Sequence, residues 1–185
     1  MGRYAVFIDG GYVKFILPEF GNPKVDYLKF SEYVANEQER LRTYYYDCAP
    51  YTSSPPTEQE KARKQAFDRF ALALNRQSRF QVRLGKLAKR RSSDGSIEFE
   101  QKMVDILLAI DLVQLSVQHQ IDRAVLLAND SDFVPAIEIA KSAGVVVELY
   151  YHIPPRPNNE LMRACDDCIL INQKLIAAIK LPSKA

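Results

Sequence analysis

Short apolar runs of strand length recur from one end of this chain to the other, and each is followed by a segment with helical spacing. Residues 4–9 (YAVFID) form a continuous apolar run that stops at an acid and two glycines. Residues 41–47 (LRTYYYD), 123–128 (RAVLLA), 145–151 (VVVELYY) and 168–171 (CILI) have the same character, and residues 80–87 (FQVRLGKL) alternate. A strand that faces water on one side alternates apolar and polar residues throughout. Most of these do not, which predicts a mainly parallel sheet covered by helices on both faces, a three-layer α/β architecture. Ligands of such sheets lie at the carboxyl ends of the strands, where strand order reverses. That rule directs attention to the residues just after Ile8 and Ala128.

The helical segments fall between the strands. Apolar residues at 28, 30, 33, 34 and 41 predict a helix over 26–41, and those at 62, 66, 67, 70, 71 and 74 predict another. Residues 101–117 are apolar nearly all round except Asp105, Asp111 and Gln114, the pattern of a helix buried on every side. Residues 132–143 predict a helix ended by Gly144. Short helices near 160–164 and over 173–179 complete the set. Ser92-Ser93-Asp94-Gly95 is a turn signal, and the prolines at 55, 56, 154, 155 and 157 mark loops. No repeat and no long linker divides the 185 residues, so the expectation is one domain over 1–185.

Composition narrows the function. With 25 Lys and Arg against 23 Asp and Glu the net charge is +2, so any nucleic-acid surface has to be a local patch. No stretch of 18 apolar residues suggests a membrane span, and the first acid comes too early for a signal-peptide core, which predicts a cytoplasmic protein. Three cysteines make no disulfide framework.

The residues at the expected ligand edge are acids. Asp9 ends the first strand, Asp130 and Asp132 follow the run at 123–128, and Asp105 lies near the start of the apolar helix. A carboxylate in apolar surroundings is costly unless it is paired or holds a cation, and clustered carboxylates repel one another. Four of them suit Mg²⁺ or Mn²⁺, hard ions that take oxygen ligands and leave room for water and phosphate. The corresponding chemistry is metal-assisted phosphodiester hydrolysis. Plainer roles stand beside it: Asp9-Gly10-Gly11 as a strand-ending turn, Asp132 as the N-cap of the next helix, and Asp130 as part of the preceding loop.

Three motifs in order, Phe7-Ile8-Asp9-Gly10, Gln101-Lys102-Met103-Val104-Asp105-Ile106-Leu107-Leu108-Ala109-Ile110-Asp111 and Asn129-Asp130-Ser131-Asp132-Phe133-Val134-Pro135, resemble the NYN domain, a PIN-like group that includes the LabA proteins. The resemblance spans the chain from its first strand to about Ile171. It implies a Rossmann-like (PIN-like) fold and a Mg²⁺- or Mn²⁺-dependent ribonuclease, with Asp9, Asp105, Asp130 and Asp132 as the catalytic and metal-binding acids. The later acid of the family's helix matches Asp111. Six residues from Asp105 is about 120° around a helix, so Asp111 is read as structural or as a support behind the metal-binding acids. Asp122 is expected at the opposite edge of the sheet. Two departures stand out: relatives carry glycine–x–asparagine after the first acid where this chain has Gly10-Gly11-Tyr12, and a serine–glycine pair where it has Ala128-Asn129.

An RNA substrate needs cations for its phosphates. The candidates are Lys86, Lys89, Arg90 and Arg91, with Arg83 beside them, Lys102 next to the second motif and Lys14 after the first; Asn129 and Ser131 add polar contacts. The basic run also suits a solvated sheet edge. Tyr12 and Phe15 suit either base stacking or the core. Cys165-Asp166-Asp167-Cys168 has zinc-type spacing without a second pair, so Cys48, Cys165, Cys168 and His152 are read as structural, and His119 as a residue at a helix C-terminus. The resulting expectation is a ribonuclease acting on single-stranded or structured RNA, with a homodimer suggested by analogy. The rivals are a catalytically silent RNA- or protein-binding regulator of the same fold and a phosphohydrolase of small phosphoesters.

Overall fold

The computed structural model describes residues 2–91 and 97–182, with side chains described for 2–86 and 103–182. Seven strands form one sheet in the order β4-β3-β2-β1-β5-β6-β7. They are β1 (Arg3–Asp9), β2 (Glu39–Cys48), β3 (Phe80–Arg91), β4 (Ile97–Lys102), β5 (Arg123–Leu127), β6 (Val146–Tyr151) and β7 (Asp167–Leu170). Six run parallel, and β4 pairs antiparallel with β3, consistent with the turn signal between them. The expected α/β sandwich is therefore present.

The apolar runs are continuous because both sheet faces are covered. In β1, Tyr4, Val6 and Ile8 enter one core, while Ala5 and Phe7 enter the other. The first core is closed by α1 (Gly10–Ile16), α2 (Tyr27–Tyr33), α3 (Glu58–Asn75) and α7 (Gln173–Ile179). The second is closed by α4 (Val104–Val117), α5 (Val134–Ser142) and α6 (Asn159–Ala164). The chain leaves β1 for one face and β5 for the other, and these two strands are neighbours. The crevice between them is the topological switch point.

Three expectations are corrected. The helix over 26–41 ends at Tyr33, because Asn36 and Glu37 take positive φ and turn the chain into β2. The helix over 101–117 starts at Val104, since Gln101 and Lys102 belong to β4 and Met103 breaks the path at φ 74°. That helix is also not buried all round. Leu108, Asp111, Leu112 and Leu115 face the sheet, whereas Ile106, Ile110 and Val117 face solvent. Composition alone cannot distinguish a helix covered on two sides from one covered on one. One helix went unforeseen: Asp9 is the N-cap of α1, its Oδ1 accepting from the N–H groups of Gly11 (2.9 Å) and Tyr12 (3.2 Å). Gly10 allows that start. A Cβ there would lie 2.7 Å from the Tyr45 ring.

Candidate functional site

The switch-point crevice opens as a groove of about 480 Å³ lined by Asp9, Gly11, Tyr12, Phe15, Asn129, Asp130, Ser131 and Pro155. Asp9 arrives at the end of β1. Asp130 arrives in the loop after β5, where its Oδ1 accepts from the Asp132 N–H at 2.9 Å and caps the 3₁₀ turn Ser131–Phe133. The capping role expected of Asp132 thus belongs to Asp130, because a 3₁₀ turn precedes α5 and moves the first unsatisfied N–H groups two residues earlier. Asp132 itself is exposed. Asp105 sits in the first turn of α4, half-buried.

The four acids share one electrostatic environment. Burial pushes the Asp9 carboxyl up to about 6, with the charges of Asp105 and Asp47 adding to the rise and the Tyr12 and Gly11 N–H groups opposing it. Burial also raises Asp105, and the charges of Asp130 and Asp132 raise it further. Among the described residues, no cation pairs with any of the four.

The Mg²⁺ or Mn²⁺ expected from the sequence can be tested against this arrangement. Among the described residues, no group of three or more His, Cys, Asp or Glu side chains forms a site that could hold a metal ion by itself. Magnesium does not need one, since one or two carboxylates with waters and substrate phosphate suffice. Asn129 supplies a further sign of fit, because its Oδ1 is buried without a hydrogen-bond partner at the groove wall. Hard oxygen donors with unrelieved repulsion suit a divalent ion whose coordination sphere is completed by water and phosphate, and do not suit an enclosed structural site.

A fifth acid, Asp47, was missed. It stands at the end of β2, one residue past the partner of Asp9 in the register, and it is fully buried. Its Oδ2 accepts from Lys14 Nζ at 2.5 Å, and its Oδ1 accepts from the Cys48 N–H. The signal was in the sequence: Asp47 ends an apolar strand just as Asp9 does. Lys14, expected to meet phosphate, instead spends its ammonium on Asp47, although its side chain is half exposed.

The remaining candidates separate clearly. Asp111 is structural: it accepts two hydrogen bonds from Arg83 (2.7 and 3.0 Å) and one from the Tyr46 hydroxyl (2.9 Å). Arg83 therefore leaves the basic group proposed for phosphate, because its strand position points it at α4. Lys86 is exposed where β3 runs on past the end of β2. The side chains of Lys89, Arg90, Arg91 and Lys102 lie outside the described residues. Ser131 and Asn129 line the groove. Tyr12 is buried, its hydroxyl accepting from the His152 N–H at 2.8 Å, whereas Phe15 is exposed. Asp122 caps the opposite edge, accepting from the Arg3 N–H. Burial pushes Cys165 up to about 12, so it remains a protonated thiol, and Cys168 Sγ donates to the Met162 carbonyl. No helix among the described residues is long and apolar enough to cross a membrane.

Comparison with known proteins agrees with this architecture. Residues 3–172 match the family model of the NYN domain. No curated protein matches the chain. A crystal structure of a protein of unknown function from Vibrio parahaemolyticus superposes with a TM-score of 0.65 at 20% identity, covering 97% of this chain and 96% of its own, which shows a shared fold. A chain from Parabacteroides merdae, described as an oxidoreductase candidate, aligns at a TM-score of 0.35 and 11% identity over 92% of this chain and 31% of its own, too loosely to carry any conclusion.

Proposed function

The chain belongs to the NYN domain family, and from that premise we propose that it is a divalent-metal-dependent ribonuclease whose site is the groove at the β1–β5 switch point. One observation carries the reading: Asp9, Asp105, Asp130 and Asp132 come from three separate segments, the charges of Asp130 and Asp132 raise the Asp105 carboxyl and that of Asp105 raises Asp9, and no cation among the described residues offsets them. Asp9 is held by its own capping bonds, which occupy Oδ1 and leave Oδ2 for a ligand. Asp130 is held in the same way by the Asp132 N–H. Asp105 is presented from the first turn of α4, whose N-terminal dipole favours its charge. Mg²⁺ or Mn²⁺, when bound, supplies charge neutralisation at phosphate oxygens and a water acidic enough to act near neutral pH. The protein's part is to fix the oxygen donors and to keep the groove open to a chain. An open groove suits a polymer better than an enclosed small phosphoester, which sets the phosphohydrolase reading lower.

A specific observation favours a second reading, a silent RNA-binding domain. Tyr12 occupies the place where relatives carry asparagine, and it is buried with its hydroxyl engaged by His152, so that polar side chain is missing from the groove.

Cleavage of a labelled single-stranded RNA in Mn²⁺ separates the two. Wild-type protein cleaves, and Asp130→Asn loses activity by on the order of a hundredfold or more, the loss typical even for groups that only support a metal's ligands. Equal cleavage by that variant removes the mechanism. Absence of both Mn²⁺ binding and cleavage in wild-type protein, with RNA affinity intact, establishes the silent reading.

A further inference from the structure

We propose that Phe15 is a base-stacking platform that makes the groove selective for single-stranded RNA, an inference that rests on the ribonuclease reading and names its substrate class. On α1, Tyr12, Val13 and Ile16 are buried, but Phe15 is 62% exposed. A single exposed phenyl ring is ordinary on a protein surface. This one is on the wall of the acid groove, which Pro155 also lines. Arg156, the next residue along the chain, is exposed.

The spacing suits a nucleotide. Phe15 lies six residues along the chain from Asp9, about 9 Å of helix rise, within the reach of one nucleotide from phosphate to base. The capping bonds of Asp9 fix α1 relative to the acids, so this distance is built in. An aromatic ring beside a phosphate track holds bases by their faces and reads no sequence. The faces of paired bases in a duplex are covered by their neighbours and cannot reach it. The platform therefore selects unpaired segments at the point of cleavage.

The test uses the full chain, a short single-stranded RNA carrying 2-aminopurine, and its duplex, in Ca²⁺ and in chelator. Wild-type protein should bind the single strand with quenching of 2-aminopurine fluorescence and bind the duplex far more weakly. Phe15→Ala should lose about tenfold in single-strand affinity together with the quenching, and Phe15→Trp should retain both. Phe15 is exposed, so these variants fold. Wild-type affinity and quenching in Phe15→Ala, equal binding of duplex and single strand, or no RNA binding at all overturns the proposal. Quenching that depends on Phe15 in a protein that does not cleave in Mn²⁺ sinks the nuclease reading and leaves the platform standing. Cleavage with no dependence of binding on Phe15 does the reverse.

Discussion

Two sets of acids lie along this sheet, and they are treated differently. Asp111 and Asp47 are buried, and each has a cation from its own chain: Arg83 for the first, Lys14 for the second. Asp9, Asp105, Asp130 and Asp132 are less buried, yet none has a cation among the described residues. Cost of burial alone would assign the cations the same way, because the most buried charges need them most. It does not explain why Asp9 and Asp130 line one groove with Asp105 and Asp132 within electrostatic reach, where Asp130 and Asp132 make Asp105 harder to ionise and Asp105 does the same to Asp9. Pairing within the chain marks the acids that hold the fold. On the proposed reading, lack of pairing marks those left to a ligand from outside.

The largest effect is expected on the paired side. Arg83→Met leaves Asp111 buried with only the Tyr46 hydroxyl and should cost about 3 kcal/mol, the lower end of the range because Arg83 is itself partly exposed. The check is a lower urea midpoint at an unchanged slope. A stability equal to wild type would erase the distinction between the two sets.

Next comes the response to metal and pH. The folded carboxyl of Asp9 titrates at about 6 against 3.8 for the ordinary group. A raised acid favours the folded state while it is protonated in both states. That contribution is whole below about pH 3.8 and disappears as pH rises through about 6. Metal-free protein should therefore lose this stabilisation between those values. Mn²⁺ at a hundred times its dissociation constant should return about 2.7 kcal/mol, seen as a higher Tm at pH 7 and a smaller rise at pH 5, where protons compete for Asp9. Asp105→Asn should abolish most of the rise. A Mn²⁺ shift that is the same at both pH values and in that variant would place the ion elsewhere.

Lys14→Met gives the smallest change and sharpens the boundary between the sets. Lys14 is half exposed, so water and the Cys48 N–H offset part of its loss, which should cost less than that of Arg83. It also moves Asp47 into the unpaired group, next to Asp9, so the Mn²⁺-induced rise in Tm should grow. No growth would show that Asp47 stands apart from the groove.

The sequence by itself determined the layered sheet and the edge at which the strand-end acids lie. Continuous apolar runs such as 4–9 require cover on both faces, and acids at strand ends fall at the same carboxyl edge whatever the details. It also determined the terminal helix Gln173–Ile179 and the C-terminal glycine of α5 at Gly144, since both depend on local spacing and backbone freedom. Only tertiary structure decided which acids are paired. Arg83 and Asp111 are 28 residues apart, and Lys14 and Asp47 are 33 apart, so no local pattern links them. Strand register and helix placement brought those charges into contact, separated Tyr12 from Phe15 on one helix, and gave Asp130 the cap expected of Asp132. Pairing is a matter of a few ångströms, and those distances are set by packing between distant segments, which residue order does not specify on its own.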